Sequence, residues 1–71
     1  MTDFELLEKI MERSGATVDA VAKAAKFSRE TYYNRKKGIG EFTASEIVGI
    51  VNVLRLTAEE RDAIFLTEKV N

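Results

Sequence analysis

Three short segments of the chain follow the Thr-x-x-Glu pattern of a capping box, which marks the start of a helix. In such a box the Thr hydroxyl accepts a hydrogen bond from an amide of the first helical turn, and the Glu carboxylate accepts one from the amide of the Thr. The segments are residues 2–5, 43–46 and 57–60. They predict three helices that begin near residues 3, 44 and 58.

Two more helices are predicted between the first and second of these. Thr17 and Ser28 are suited to be N-caps, and the apolar residues after Thr17 recur with the spacing of one helical face. Proline is absent, and no segment shows the apolar–polar alternation of a strand. The predicted fold class is all-α, a compact domain of five helices over about residues 3–13, 17–26, 28–37, 44–55 and 58–66.

The fourth predicted helix has the broadest apolar surface and is expected to be the central one. Ile47 and Val51 lie on the middle of its apolar face, so we expect them to be buried most deeply. Gly49 in its interior lowers helix stability. It indicates either a neighbouring helix that packs closely there or a tolerated defect.

The composition limits the chemistry that the chain can perform. At 71 residues the chain is expected to form a single domain, residues 1–71. It contains neither Cys nor His, which excludes disulfides, zinc fingers, thiolate nucleophiles and imidazole acid–base groups. The acidic pairs Asp3/Glu5 and Glu59/Glu60 are explained by the first turns of helices. We therefore expect no catalysis, no metal and no cofactor.

Positive charge is concentrated in one part of the sequence. Residues 23–37 have a net charge of +5, whereas residues 1–22 and residues 38–71 each have a net charge of −3. A basic block between acidic flanks can present a positive face to a polyanion, and the alternative is a solvated run of charges. No long apolar stretch and no signal peptide is visible at the N-terminus. We expect a cytoplasmic protein that does not bind membranes.

Residues 17–38 have the layout of a helix-turn-helix, two short helices joined by a turn of three or four residues. The segment resembles the Cro and phage-repressor class, also called lambda repressor-like. The residues on recurring positions are Thr17, Val21, Ala22, Ser28, Thr31 and Gly38. Residues 41–47 and 64–70 also look like those of small regulators encoded by phages and prophages. The resemblance implies a transcriptional regulator that binds double-stranded DNA sequence-specifically through a recognition helix at about residues 28–37.

The expected site follows from placing this helix in a major groove. Arg29 can contact guanine, Glu30 can accept from cytosine and Asn34 can contact adenine. An exposed helix surface without function is the alternative for Arg29 and Asn34, and Tyr33 belongs either to the groove or to the edge of the core. The resemblance favours as base-reading residues Ser28, Arg29, Glu30, Tyr33 and Asn34.

Phosphate contacts are expected around this helix from hydroxyl groups and lysines. Tyr32 is expected to point into the core. The candidate phosphate-binding residues are Thr17, Lys26, Thr31, Lys36 and Lys37.

Three residues depart from the pattern of this class. Lys26 occupies a turn position where Gly is usual, so either a left-handed backbone there costs about 1 kcal/mol or the turn differs from that of the class. Val18 replaces a Gln that braces the recognition helix in many members. Arg35 stands where an apolar residue often faces the core.

Two kinds of partner besides DNA are considered. A weak homodimer is expected because one short helix reads few base pairs. Its candidate contact residues are Ile64, Phe65, Leu66 and Val70, although Phe65 packing inward is the alternative. The sequence pI near 5.4 favours another function, an antirepressor that binds a repressor protein instead of DNA. A purely structural helical bundle explains neither the basic block nor the turn.

Overall fold

A computed structural model of the chain describes residues 1–66. This range contains five helices and no strand, so the prediction of an all-α fold is confirmed. The bounds of all five helices lie within one residue of the predicted ones. The helices are α1 (Phe4–Ser14), α2 (Val18–Ala25), α3 (Arg29–Lys36), α4 (Ala44–Leu54) and α5 (Ala58–Phe65).

The helix starts are fixed by side-chain caps. Both hydrogen bonds of the capping box form at Thr43 and at Thr57, as predicted. The capping box predicted at residues 2–5 is wrong, because Asp3 and not Thr2 is the N-cap of α1. The Oδ1 atom of Asp3 accepts from the amide of Leu6 at 3.0 Å. A carboxylate caps a helix as well as a Thr hydroxyl does, and here it lies one residue closer to the helix.

The core collects residues from all five helices. Its fully buried side chains are Leu7, Val21, Tyr32, Ile50 and Ile64. The first turn of α1 is joined to the end of α5, because the amide of Asp3 donates to the carbonyl of Ile64 at 2.7 Å. The helix bundle is therefore closed between its first and last elements.

The most extensive contact between helices joins α2 and α4. Gly49 lies where they meet, so of the two explanations left open for this residue the structure supports the close neighbour. The prediction that Ile47 and Val51 are the most buried residues of α4 is wrong. Both are only partly buried, whereas Ile50 is completely buried. The apolar stripe of α4 is wider than the face that the core covers, and the covered face is the one that carries Ile50 and Leu54.

A cluster of aromatic rings packs between α3 and the rest of the protein. The ring of Phe42 lies 5.7 Å from that of Phe4, 5.8 Å from that of Phe27 and 5.8 Å from that of Phe65, measured between centroids. Phe4 in turn meets the ring of Tyr32 edge-on at 5.6 Å. Such edge-to-face pairs add to the stability gained from burial. The cluster connects α3 to α1, to α5 and to the segment before α4.

Candidate nucleic-acid interface

The candidate site is built on α2, α3 and the short connection between them. The connection is Lys26, Phe27 and Ser28. Lys26 has φ 64° and ψ 40°, a left-handed conformation that a residue with a side chain adopts at a cost of about 1–2 kcal/mol. The amide of Phe27 donates to the carbonyl of the buried Ala22 at 3.0 Å, which turns the chain sharply. The backbone thus takes the conformation that Gly favours, with Lys in its place.

One side of α3 is fixed to the rest of the protein through Tyr32. This residue is completely buried, as predicted, and its hydroxyl donates to Oε2 of Glu8 on α1 at 2.8 Å. Nζ of Lys36 lies 2.9 Å from the same carboxylate. The hydrogen bond from Lys36 lowers the pKa of Glu8 despite partial burial, and burial raises the pKa of Tyr32. Glu8 therefore holds both a neutral phenol and a cation of α3.

The opposite side of α3 faces solvent. Arg29 and Glu30 are exposed, Asn34 is half-buried, and Tyr33 is 38% exposed. Tyr33 meets the ring of Tyr32 edge-on at 5.3 Å, so it belongs both to the edge of the core and to the outer surface. Of the base-reading residues predicted along the helix, Arg29, Glu30 and Tyr33 are thus accessible, and Asn34 is accessible only in part.

Arg29 has two neighbours on this surface. Its Nε lies 3.2 Å from Oδ1 of Asp19 on α2, and its guanidinium carbon lies 5.9 Å from the centre of the Tyr33 ring. The carboxylate and the ring are of the kinds that hold a guanidinium group in place. Sequence reasoning missed Asp19, because a pair between two helices leaves no periodic signal.

The three hydroxyl residues of the predicted site serve as helix caps or lie beside one. Thr17 accepts from the amide of Ala20 at 3.1 Å, and Ser28 accepts from the amide of Thr31 at 3.1 Å. The hydroxyl oxygens of Ser28 and Thr31 lie 3.1 Å apart. These groups fix the N-termini of α2 and α3, where free amides are directed outward.

The cations of residues 23–37 fall into two groups. Arg29, Arg35 and Lys36 are each within 4.0 Å of a carboxylate, from Asp19, Glu46 and Glu8 respectively. Within the described residues 1–66, the other three cations form no ion pair: Lys23, Lys26 and Lys37. Three of the six cations in residues 23–37 are therefore already paired with carboxylates from other parts of the chain. Of the lysines predicted to bind phosphate, Lys26 is exposed in the turn before α3, Lys37 is exposed at the C-terminal end of α3, and Lys36 already has a partner.

Arg35 stands where an apolar residue is common in the class that the sequence resembles, and the structure shows how this arginine is accommodated. Its side chain is only 21% exposed, its Nη1 donates weakly to the carbonyl of Ile39 at 3.5 Å, and Nη2 lies 4.0 Å from Glu46. The guanidinium group also lies directly against Gly40. Arg35 thus lies partly buried over the loop between α3 and α4, outside the core itself. Its buried Nε has no hydrogen-bond partner among residues 1–66.

The residues predicted for a dimer contact do not share one surface. Ile64 is completely buried and Phe65 is 7% exposed, so both belong to the core of the chain itself. A short helix that closes the bundle directs these two residues inward. Leu66 is 68% exposed, and Val70 lies outside the described residues. The prediction that Ile64 and Phe65 offer a surface to a partner is therefore corrected.

Two further features concern ligands and membranes. Among residues 1–66, no cluster of three or more acidic side chains could hold a metal ion. In the same part of the chain, every helix is too short or too polar to span a bilayer.

Comparison of the chain with protein-family models, with characterised proteins and with solved structures finds no match.

Proposed function

We propose that the protein is a transcriptional regulator of the lambda repressor-like helix-turn-helix class that binds double-stranded DNA. In this proposal α2 and α3 form the helix-turn-helix, and α3 is the recognition helix in the major groove. The single observation that carries the proposal is the two-sided character of α3. One side is anchored by the buried Tyr32, and the other displays Arg29, Glu30 and Tyr33 to solvent.

An α-helix of this kind fits the width of the major groove, where each base pair presents its own pattern of donors and acceptors. Arg29 supplies donors for guanine and Glu30 supplies an acceptor for cytosine. Tyr33 offers an aromatic edge and a hydroxyl. The exposed side of α3 therefore combines the groups with which a helix distinguishes base pairs.

The distribution of unpaired charge supports the same orientation. Lys26 lies in the turn before α3 and Lys37 at the C-terminal end of α3, and both are exposed. Lysines at both ends of a recognition helix can bind phosphates on the two sides of a groove. With Lys23, three unpaired cations remain, so the slope of log affinity against log salt is expected to be about −3 per chain.

A symmetric pair of chains would read two half-sites about one DNA turn, ~34 Å, apart. We propose such a homodimer, formed weakly in solution and strengthened on DNA by linkage. The buried Ile64 and Phe65 do not take part in this contact.

A second candidate is an antirepressor that binds a repressor protein. It is favoured by the sequence pI near 5.4 and by the internal pairing of three cations of the basic block. Such a protein would keep the helix-turn-helix fold and would not need a net attraction for phosphates.

The test is a selection from a random-sequence duplex library at low salt, followed by fluorescence anisotropy on the selected duplex. Lys37→Ala is expected to weaken binding to all duplexes and to flatten the salt slope by about one unit. Lys9→Ala on α1 is the matched control, because it removes the same charge outside α2 and α3 and should change the slope little. No retention of any duplex by the wild-type chain would contradict the proposal. Binding of a purified helix-turn-helix repressor by that same chain would favour the second candidate.

A further inference from the structure

We infer that Asp19 is a positioning residue that directs the terminal nitrogens of Arg29 toward a guanine base. The inference rests on the proposed function and names the base that α3 recognises at one position. Asp19 lies in the first turn of α2 and Arg29 in the first turn of α3, so the contact joins the N-terminal ends of the two helices.

The nitrogen through which Arg29 pairs with Asp19 determines which of its donors stay available for DNA. Oδ1 of Asp19 approaches the Nε of Arg29 at 3.2 Å, and it is this inner nitrogen that pairs. A guanidinium group has five N–H donors in a rigid plane, of which four belong to the two terminal nitrogens. A carboxylate at Nε therefore restrains the inner edge of the guanidinium group and leaves donors on the terminal nitrogens for other acceptors. One such acceptor belongs to the chain itself, because a side-chain hydrogen bond with Tyr33 raises the pKa of Arg29. The edge of guanine, with O6 and N7, is the acceptor that arginine contacts in two places at once.

The second neighbour of Arg29 restricts the group from another direction. The ring of Tyr33 lies 5.9 Å from the guanidinium carbon and is itself held edge-on by Tyr32 at 5.3 Å. Tyr32 is buried and bonded to Glu8. The orientation of Arg29 is thus supported by a series of contacts that begins in the core.

The ion pair itself contributes little to folding. The side chains of Arg29 and Asp19 are 61% and 67% exposed, and exposed pairs are weak and screened by salt. Removal of Asp19 should therefore leave the protein folded. A carboxylate at this surface also repels phosphates, so it opposes sequence-independent binding while it orients the arginine. Loss of Asp19 is expected to change specificity and general affinity in opposite directions.

The experiment compares the wild-type chain, Asp19→Ala, Arg29→Lys and a charge control, Glu12→Gln, which removes an exposed acid on α1. Each is measured on the duplex selected by the wild-type chain and on two altered duplexes. One carries adenine in place of a selected guanine, and the other carries 7-deazaguanine, which lacks the N7 acceptor. All variants are first checked for helix content by circular dichroism.

The wild-type chain and Glu12→Gln are expected to lose about tenfold in affinity at one guanine with either alteration. Arg29→Lys is expected to lose this discrimination because a lysine cannot form the two-point contact. Asp19→Ala is expected to reduce it to about threefold or less and to bind unrelated duplexes more tightly than the wild-type chain does.

Wild-type discrimination in Asp19→Ala would overturn the inference and leave the proposed function intact. The inference would also be overturned if Asp19→Ala bound all duplexes more tightly by the same factor and kept its preference for guanine, because Asp19 would then act only by repelling phosphates. A wild-type chain that binds DNA without any guanine preference would also overturn the inference. A wild-type chain that binds no duplex would overturn the proposed function, and the inference with it.

Discussion

Gly49 of α4 lies directly against the backbone of Ala24 in α2. A Cβ atom on residue 49 would overlap the carbonyl oxygen of Ala24, and it would lie 2.9 Å from the carbonyl carbon. The two helices therefore approach each other with no side chain between them at this point. Since α2 is the first helix of the proposed DNA-binding pair, this contact sets how that pair is attached to the core.

Gly49→Ala is expected to destabilise the protein by about 1–3 kcal/mol, because the added methyl group meets backbone that cannot move aside. The sign of this change in the free energy of unfolding is informative, because the same Gly-to-Ala change in an exposed helix stabilises a protein by about 1 kcal/mol. Chemical denaturation measures the difference. Asn52→Ala, an exposed change one turn further along α4, serves as the control and should alter stability little. A Gly49→Ala variant more stable than the wild-type chain would contradict the close approach.

The burial of α4 predicts a clear order for two isoleucine truncations. Ile50→Ala is expected to cost about 2–5 kcal/mol, because Ile50 is completely buried and its loss leaves a cavity. Ile47→Ala should cost less, since Ile47 is only partly buried. Midpoints of urea denaturation give the comparison. Equal or greater loss for Ile47→Ala would show that the centre of the apolar stripe, and not the side that carries Ile50, is the buried one.

Helix positions followed from the sequence because their causes are local. The N-cap side chains at Thr17, Ser28, Thr43 and Thr57 bond to amides three residues further along, within one helical turn. Only at the first helix did two suitable caps compete, and Asp3 took the place predicted for its neighbour. Local chemistry decides such positions without reference to the rest of the chain.

The depth of burial and the pairing of charges could not be predicted in the same way. The apolar residues of α4 cover more than one face, so only the packing of α4 against the other helices decides that Ile50 is the central one. Glu8 and Lys36 are 28 residues apart, and Asp19 and Arg29 lie on different helices. Each pair depends on how helices are arranged in space. The outer surface of α3, by contrast, follows from helical periodicity once Tyr32 is known to point inward.

Two residues with left-handed backbone give a prediction that separates stability from binding. Lys26 and Arg55 have φ values of 64° and 52°, where Gly carries no steric cost. Lys26→Gly and Arg55→Gly are each expected to stabilise the fold by up to about 1 kcal/mol, a gain seen in thermal unfolding. Under the proposed function, Lys26→Gly should also weaken DNA binding and flatten its salt dependence, whereas Arg55→Gly should not. Equal binding by both variants would remove Lys26 from the interface.

The buried phenol of Tyr32 predicts a dependence on alkaline pH. Burial and the hydrogen bond to Glu8 raise its pKa above the ordinary value of 10.0. Folding therefore keeps the phenol protonated, and the stability that this group contributes is complete below pH 10 and is lost progressively above it. Tyr32→Phe should cost about 1.5–3 kcal/mol at pH 7, and the gap to the wild-type chain should narrow above pH 10. Denaturation curves between pH 8 and about 11 check this, and a gap that stays constant would contradict it.

Phe65 and Leu66 differ in exposure, so replacing each by glutamate is expected to give opposite results. Phe65 is 7% exposed and packs edge-on against Phe42, so Phe65→Glu places a carboxylate in the core and is expected to unfold the chain. Leu66 is 68% exposed, so Leu66→Glu should leave the helices intact. Circular dichroism separates the two cases, and sedimentation of Leu66→Glu then tests the proposed weak homodimer. A shift toward monomer with helicity retained would assign the contact to the end of α5, and an unchanged dimer would assign it elsewhere. A folded, monomeric Phe65→Glu variant would contradict the burial of Phe65, since a residue in the core does not tolerate an unpaired charge.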